Sequence, residues 1–278
     1  MMKHDFKDKI VVLTGAGGVL ISQFAKAYAD AGAKVALLDL NKEAAQANAD
    51  EINKESGTAF AYECNVLKKD SIEAARAAIA HDLGTADILI NGAGGNNPRA
   101  TTENEFHETE GLEGVKTFFD LDEDGISFVF NLNFLGTLLP TQVFAKDMLE
   151  KEQASILNIS SMNGFTPLTK IPAYSGAKAA ISNFTEWLAV HFAHVGIRVN
   201  AIAPGFLVSN QNRSLLFDDL GEPTARANKI LTNTPMGRFG EAEELIGGVL
   251  YLTDEKAASF VNGVVLPIDG GFNAYSGV

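Results

Sequence analysis

Short apolar runs alternate with longer amphipathic stretches along most of the chain. Seven runs are almost continuously apolar, as parallel strands are when both faces of their sheet are covered. They cover residues 10–13, 35–38, 60–64, 88–90, 156–159, 198–202 and 264–267. Stretches with helical spacing include residues 21–31, 42–54, 70–81 and 177–193. This alternation predicts an α/β fold, a doubly wound parallel sheet with helices on both faces. Since no linker or repeat divides the sequence, we expect a single domain over residues 1–278.

Two long segments interrupt the alternation. The first, at about residues 95–125, is acidic and irregular, and the second, at about 205–240, carries several Asn, Thr and Pro residues. Long irregular segments of compact domains are often lids or binding loops. We therefore expect a substrate lid at 205–240. For the first segment, a lid, an interface and a solvated insertion all stay open.

Composition narrows the choice of partners. A net charge of -13 disfavours nucleic acid, although a small anion could still bind in a locally basic pocket. The only cysteine, Cys64, excludes an internal disulfide, indicates a reducing compartment, and is expected to fill space in the core. We find no signal-like N-terminal stretch and no apolar run of about 18 residues. The expectation is a cytoplasmic protein with no membrane or nucleic-acid partner.

The first apolar run passes directly into a glycine-rich turn, Gly15, Gly17 and Gly18. In a dinucleotide fold such glycines let the backbone approach a pyrophosphate, and the next helix offers free N–H groups. The glycine spacing departs from the usual patterns, so a plain strand–turn–helix corner is the alternative. Asp39 favours the nucleotide, because it ends the second strand about 20 residues on, where a ribose-binding acid is expected. A carboxylate there repels a 2′-phosphate, which predicts NAD rather than NADP.

A second polar group follows the fifth predicted strand. Ser160 and Ser161 end that strand, and Tyr174 and Lys178 are four residues apart at a predicted helix start, on one helical face. An unperturbed phenol has a pKa of about 10, and a nearby ammonium lowers it. Acid–base catalysts work best with a pKa near the working pH. The group therefore predicts proton transfer at a substrate oxygen that a serine holds.

With these motifs in place, the chain resembles the short-chain dehydrogenase/reductases over nearly its whole length. The matching pieces are Thr14-Gly15, Asp39, Asn91-Gly92-Ala93-Gly94, Asn133, Ser161, Tyr174-x-x-x-Lys178, Pro204-Gly205 and Asp269-Gly270-Gly271. The resemblance implies a Rossmann-type fold with a seven-stranded parallel sheet. It also implies hydride transfer between a nicotinamide and a carbonyl carbon. A homo-oligomer, commonly a tetramer, is implied as well, built from the helices after Asn133 and Tyr174 and the C-terminal segment.

The resemblance further implies catalytic roles. Tyr174 would be the general acid/base, and Ser161 would orient and polarise the substrate oxygen. Lys178 would lower the pKa of Tyr174 and bind the nicotinamide ribose. Asn133 would hold a water that links Lys178 to solvent.

It implies cofactor contacts from several segments. Asn91 would line the adenosine ribose, and Ser209 would contact the carboxamide. Asn65 stands where the family usually has an acid that contacts adenine; since an amide both donates and accepts, weakened adenine recognition is expected. The whole cofactor set is Gly15, Gly17, Gly18, Val19, Leu20, Asp39, Leu40, Asn65, Val66, Asn91, Gly92, Ala93, Gly94, Tyr174, Lys178, Pro204, Gly205, Phe206 and Ser209.

Several stretches, among them TGAGGVLI and APGFLVSNQNRSLL, are similar to one branch of the family, described as D-mannonate oxidoreductases or fructuronate reductase-like enzymes. The branch implies an NAD-linked interconversion of D-mannonate and D-fructuronate. A sugar-acid carboxylate needs a cation or several donors. The candidate substrate contacts are Asn97, Arg99, Ser161, Asn163 and Arg213, with Lys170, Asn210 and Gln211 as further candidates. Arg213 or Arg99 is expected to hold the carboxylate, although each could be an ordinary loop residue.

Two other functions stay open. One is reduction of another carbonyl, such as a 3-oxoacyl thioester or a cyclic polyol; the polar lid favours a hydrophilic substrate. The other is a non-catalytic NAD-binding sensor, which would not need the Tyr174 phenol. His191 and His194 have no acid or cysteine cluster around them in the sequence, so no metal site is expected. Trp187 is expected in a core or between subunits.

Overall fold

A computed structural model describes residues 4–55, 57–208 and 213–277. Its centre is a parallel sheet of seven strands in the order β3-β2-β1-β4-β5-β6-β7. The strands are β1 (Ile10–Thr14), β2 (Lys34–Asp39), β3 (Thr58–Glu63), β4 (Ile88–Asn91), β5 (Ala154–Ile159), β6 (Ile197–Pro204) and β7 (Val265–Ile268). The predicted doubly wound fold is confirmed. The strand order reverses between β1 and β4, and ligands of such sheets bind at the carboxyl ends beside this reversal.

Helices cover both faces of the sheet. They are α1 (Val19–Asp30), α2 (Lys42–Lys54), α3 (Lys69–Asp82), α4 (Glu123–Phe130), α5 (Gly136–Met148), α6 (Pro172–His191), α7 (Arg213–Leu216), α8 (Ala225–Thr232) and α9 (Glu243–Thr253). The main difference from the predicted boundaries is that α6 begins five residues before position 177. Proline is well suited to the first turn of a helix, which explains a start at Pro172.

Two apolar layers hold the sheet between the helices. On one face Tyr28 of α1 and Val249 of α9 are buried, and on the other Ile79 of α3 and Phe144 of α5 are buried. Cys64 belongs to the second layer, and burial raises the pKa of its thiol to about 11. This thiol is protonated and inert at neutral pH, as expected for a residue that fills space.

A segment at Glu123–Met148 is continuously helical, with a short π-helix, Asn131–Leu135, between α4 and α5. By length and composition alone it could cross a membrane. Half of its most apolar window is buried inside the fold, and core helices meet the same criteria.

The acidic segment, here called the insert (residues 95–122), is an ordered loop. Two short 3₁₀-helices, Pro98–Ala100 and Phe118–Asp120, lie near its ends, and the Glu103 N–H donates to the Lys116 carbonyl at 2.8 Å between its arms. Its middle reaches the lid (residues 205–240), where Lys229 Nζ of α8 lies 2.6 Å from Glu105 Oε2. The insert and the lid therefore touch each other.

One helical face is exposed and aromatic. Trp187 of α6 is 56% exposed, and its ring stacks on Phe184 and His191 at centroid distances of 6.2 and 4.6 Å. Of the two positions expected for Trp187, a core or a contact between subunits, the core is excluded because this side of α6 faces outwards. Within the described ranges, no group of three or more His, Cys, Asp and Glu side chains could hold a metal ion.

Candidate active site

The turn after β1 requires its first glycine. Gly15 has a φ of +72°, and a Cβ on it would lie 2.9 Å from backbone atoms of Ala93. Helix α1 then begins at Val19, directly after Gly18. The first N–H groups of a helix have no partner within it, so the turn and the helix start present donors at the carboxyl end of β1.

Asp39 borders this turn. Its two carboxylate oxygens accept from the Gly17 N–H at 2.9 Å and from the Asn41 N–H at 2.8 Å. A Cβ on Gly17 would lie 3.0 Å from Asp39 Oδ2, so glycine permits this close approach. Leu40, the next residue, is 67% exposed. The acid and the glycine turn thus lie side by side at the carboxyl ends of β1 and β2, as the sequence predicts. The space beyond the carboxyl ends of the strands is called the crevice below.

The irregular glycine pattern has a structural counterpart in the loop directly after β4. Ile21 is buried against Gly92, where a Cβ would lie 2.2 Å from Ile21 Cδ1. Thr14 Oγ1 accepts from the Gly92 and Ala93 N–H groups at 3.1 and 3.2 Å, which joins the two loops. The space that a larger residue on α1 requires is therefore provided by a glycine just after the neighbouring strand.

The side chains of two predicted cofactor residues, Asn91 and Asn65, form hydrogen bonds with other residues of the protein. Asn91 is buried, and its Nδ2 donates to Thr141 Oγ1 at 3.0 Å and to Asn158 Oδ1 at 2.9 Å. Asn65 Oδ1 accepts from the Leu67 N–H at 2.9 Å, in a local turn. Val66, next in sequence, is 8% exposed. Any contact that Asn91 makes with a cofactor is left to its backbone, because its side chain lies between β4, β5 and α5.

The loop after β5 and the start of α6 bring the catalytic candidates together. The Ser161 hydroxyl lies close enough to the Tyr174 phenol to lower its pKa. Lys178 is buried, its Nζ donates to the Ile159 carbonyl at 2.7 Å, and it lies 5.6 Å from the centroid of the Tyr174 ring. Ser160 Oγ donates to the Lys178 carbonyl at 3.1 Å, which fixes α6 against the end of β5. The predicted convergence of these three side chains is present.

The charge states of this group differ from the expectation. Burial raises the pKa of Tyr174 above its usual value, and the neighbouring Ser161 hydroxyl opposes this only in part. Burial lowers the pKa of Lys178 from 10.5 to about 8. The expectation that Lys178 lowers the pKa of Tyr174 is thus not met in the free site. Burial disfavours both the Tyr174 phenolate and the Lys178 ammonium, and it is the largest cause of both pKa shifts.

Asn133 lies in the π-helix and is fully buried. Its Nδ2 donates to the Gly95 and Val129 carbonyls, both at 2.8 Å, and its Oδ1 accepts from the Gly95 N–H at 3.3 Å. A Cβ on Gly94 would lie 2.7 Å from Asn133 Oδ1 and 3.3 Å from Lys178 Nζ. Asn133 and Lys178 therefore meet at Gly94, beyond the end of β4.

Arg99 does not face the crevice as a free cation. Its Nη2 lies 2.6 Å from Asp122 Oδ1 and 3.5 Å from Asp124 Oδ2, at a side-chain exposure of 56%. The expectation that Arg99 could hold a substrate carboxylate is corrected, because the acids of its own segment already neutralise it. Asn97 is likewise occupied locally, since its Oδ1 accepts from the Arg99 N–H at 2.8 Å.

The remaining substrate candidates have different surroundings. Asn163 is 4% exposed, and among the described residues its Oδ1 has no hydrogen-bond partner. Arg213 begins α7, and its guanidinium lies 5.3 Å from the centroid of the Phe217 ring. Lys170 has a φ of +73° and belongs to the loop between Ser161 and Tyr174. Ser209, Asn210 and Gln211 lie outside the described residues.

The segment after β6 is held by the C-terminus. The Gly205 N–H donates to the Ile268 carbonyl at 3.0 Å, and a Cβ on Gly205 would lie 2.6 Å from Asp269 Cα. Phe206 packs edge-on against Phe272 at 5.4 Å. Sequence reasoning did not identify this contact between the predicted cofactor segment and the end of the chain. No local pattern signals it, because the two segments are far apart in sequence.

Comparisons with known proteins agree with this geometry. The family model for short chain dehydrogenases matches residues 9–218. An uncharacterized oxidoreductase of Haemophilus influenzae is 68% identical over 275 residues, with 99% of this chain and 96% of that relative covered. The uncharacterized oxidoreductase UxuB of Bacillus subtilis is 50% identical over 277 residues, with 100% and 99% covered. A crystal structure from Haemophilus influenzae, provisionally described as a D-mannonate oxidoreductase with bound NAD, is 68% identical. It has a TM-score of 0.97 and covers 99% of this chain and 98% of its own.

Proposed function

Because the chain belongs to the short-chain dehydrogenase family, we propose that this oxidoreductase uses NAD to interconvert D-mannonate and D-fructuronate. The observation that carries the reaction type is the convergence of Ser161, Tyr174 and Lys178 at the end of β5. The substrate assignment is supported by the sequence branch and by the polar character of the lid. NAD itself supplies the hydride acceptor or donor.

The crevice residues fit a dinucleotide. Gly15 and Gly94 follow the ends of β1 and β4, where the backbone carries no side chain. A Cβ at either position would lie closer than 3.0 Å to other atoms of the protein. We assign the pyrophosphate to the N–H groups of Val19 and Leu20 at the start of α1, since the Gly17 and Gly18 N–H groups already donate to Asp39 and to the Gly15 carbonyl. Asp39 lies beside this turn, where a carboxylate favours free ribose hydroxyls over a phosphate. The remaining cofactor contacts predicted above, including Ser209, are part of this proposal.

In reduction, the Tyr174 phenol gives its proton to the substrate oxygen. Its raised pKa keeps it protonated and ready at neutral pH. Ser161 holds the same oxygen, since its hydroxyl lies beside the phenol in the free site. In oxidation Tyr174 first loses its proton, and the phenolate, stabilised by the nearby Lys178 ammonium, then accepts the proton of the substrate hydroxyl. We infer that Asn133, which meets Lys178 at Gly94, holds a water that carries this proton to solvent.

The carboxylate of a sugar acid needs a cation near the lid. We assign this role to Arg213, because the guanidinium of Arg99 is already paired with Asp122 and Asp124. Arg213→Ala should raise the KM for a hexonate about 10-fold or more and leave the KM for a neutral polyol unchanged. Arg99→Ala is the matched control and should change neither value. An unchanged hexonate KM in Arg213→Ala would remove Arg213 from the site.

The function is tested with a panel of hexonates, hexuronates, polyols and 3-oxoacyl thioesters, each offered with NAD and with NADP. Absorbance of the reduced nicotinamide gives kcat/KM for every pair. The proposal expects the highest value for D-mannonate or D-fructuronate with NAD. A thioester or a neutral polyol as the best substrate would contradict it.

Tyr174→Phe separates an enzyme from an NAD-binding sensor. An enzyme loses turnover by a factor of about 100 or more, while its affinity for NAD, measured by calorimetry, stays the same. A sensor keeps both its NAD affinity and its ligand response.

We also propose that the protein is a homo-oligomer, a tetramer by family resemblance. The exposed side chains Phe128, Trp187 and Val190, which are 44%, 56% and 77% exposed, support an interface on α4 and α6. Light scattering should give a mass above that of one chain, and Trp187→Glu should lower it. A single-chain mass for the unchanged protein would refute this assignment. The one buried cysteine agrees with a reducing compartment, so we place the enzyme in the cytoplasm.

A further inference from the structure

The C-terminal segment, defined here as residues 269–275, folds into a turn around one carboxylate. Asp269 Oδ1 accepts from the Gly271 N–H at 2.9 Å, and Asp269 Oδ2 accepts from the Asn273 N–H at 2.8 Å. Gly270 and Gly271 have φ values of +64° and +89°, which glycine adopts without strain. The segment is therefore a formed turn whose side chains have defined positions.

This turn contacts three parts of the site. Asn273 Oδ1 accepts from Thr166 Oγ1 at 3.1 Å. The ring of Phe272 packs edge-on against Phe206 at 5.4 Å. The Met236 N–H, at the far end of the lid, donates to the Gly270 carbonyl at 3.1 Å. The end of the chain thus connects the loop after Ser161, the segment after β6 and the lid.

The contact with Thr166 lies in the loop that joins the two catalytic side chains, Ser161 and Tyr174. At its other end this loop is tied to the insert, where the Thr102 N–H donates to the Lys170 carbonyl at 2.8 Å. The loop is therefore attached at one point to the insert and at another to the C-terminal turn. Its place relative to the substrate depends on both attachments.

We propose that the C-terminal segment positions the substrate end of the site. Asn273, acting through Thr166, sets the position of the loop between Ser161 and Tyr174 and thereby determines how well an extended polyhydroxylated acid is held. Asn273 is a positioning residue, since it acts through another side chain. The substrate class in this proposal depends on the proposed function, whereas the positioning of the loop by Asn273 does not.

The hydrogen bond between Thr166 and Asn273 is exposed. Its loss should therefore change the position of the loop between Ser161 and Tyr174 and leave the fold intact. Thr166→Val removes the hydroxyl at nearly the same volume, and Thr166→Ser keeps it. Asn273→Ala removes the acceptor. Thr232→Val is the control, because Thr232 is an exposed threonine whose hydroxyl donates within α8, to the Asn228 carbonyl at 2.8 Å.

We expect Thr166→Val and Asn273→Ala each to raise the KM for the sugar acid about 3- to 10-fold. The values of kcat and the NAD affinity should stay within about twofold, which a general loss of structure would not allow. Thr166→Ser and Thr232→Val should behave like the unchanged protein. The double variant should be no worse than either single one, since both remove the same bond. Two independent effects that multiply would overturn the proposal, and so would an unchanged KM in both single variants.

Amide hydrogen exchange provides a measurement that needs no substrate. The Phe165 and Thr166 N–H groups both donate to the Met162 carbonyl at 3.0 Å and report on the loop. Their exchange should become about 3- to 10-fold faster in Thr166→Val and Asn273→Ala, and not in Thr166→Ser. If no sugar acid is turned over, the proposed substrate is wrong, and exchange alone decides the positioning. Unchanged exchange in both variants would then refute it.

Discussion

Lys178 should make the folded protein less stable at neutral pH than a methionine at the same position would. Lys178 is buried, and its pKa falls from 10.5 to about 8 on folding. The unfolded chain therefore binds its proton more tightly, and charge burial at pH values below 8 costs about 3 kcal/mol, at about 1.4 kcal/mol for each pH unit. Methionine avoids this cost, but it loses the hydrogen bond to the Ile159 carbonyl, which contributes about 1 kcal/mol.

The net expectation for Lys178→Met is a gain of about 2 kcal/mol in the free energy of unfolding at about pH 7. The sign of the pH dependence follows from the lowered pKa. As the pH rises from 8 towards 10.5, folded lysine loses its proton first, so the unchanged protein gains stability and the advantage of the variant disappears. Near pH 10.5 the cost of burying the charge is gone, and the two proteins differ only by the hydrogen bond that methionine cannot form. The variant is then slightly less stable than the unchanged protein.

Urea unfolding of both proteins at several pH values between about 7 and 10 measures this difference. The buried phenols Tyr28 and Tyr62, whose pKa values are also raised, are common to both proteins and cancel. Lys146→Met, at an exposed position of α5, is the control and should give a small difference that does not depend on pH. Parallel stability curves for Lys178→Met and the unchanged protein would show that burial of the ammonium is not the cause.

Three further predictions concern the crevice and the lid. Gly15→Ala should lower stability by about 2 kcal/mol or more and weaken NAD binding, whereas Gly111→Ala should cost only about 1 kcal/mol. Both have a positive φ, but only Gly15 would meet backbone; equal losses in thermal unfolding would contradict the argument. Asp39→Ser should raise the ratio of NADP to NAD turnover about 10-fold or more, and an unchanged ratio of kcat/KM would remove Asp39 from ribose recognition. Glu105→Gln breaks the exposed ion pair with Lys229, so proteolysis of the lid should become up to about 5-fold faster at low salt. The difference should vanish at high salt, and its persistence would point to another contact.

The site was only partly predictable from local patterns. The four-residue spacing of Tyr174 and Lys178 and the position of Asp39 at a strand end depend on helix and strand geometry alone, and the structure places all three at the crevice. The pKa of Tyr174 was not predictable in this way, because it depends on how much water the surrounding layers exclude. Arg99 was likewise misjudged, since its partners Asp122 and Asp124 come from the end of the insert and the start of α4.

The sequence by itself determined the kind of elements and their order: seven apolar strands, the helices between them, and glycines at strand ends. These follow from short continuous apolar runs and from the 3.6-residue period of helices, which depend on a few neighbouring residues. Only the tertiary structure decided which distant groups meet. Ile21 fits because a glycine, Gly92, follows the end of β4, and Thr166 bonds Asn273 across 107 residues of chain. Contacts of this kind depend on packing and burial, which no local spacing records.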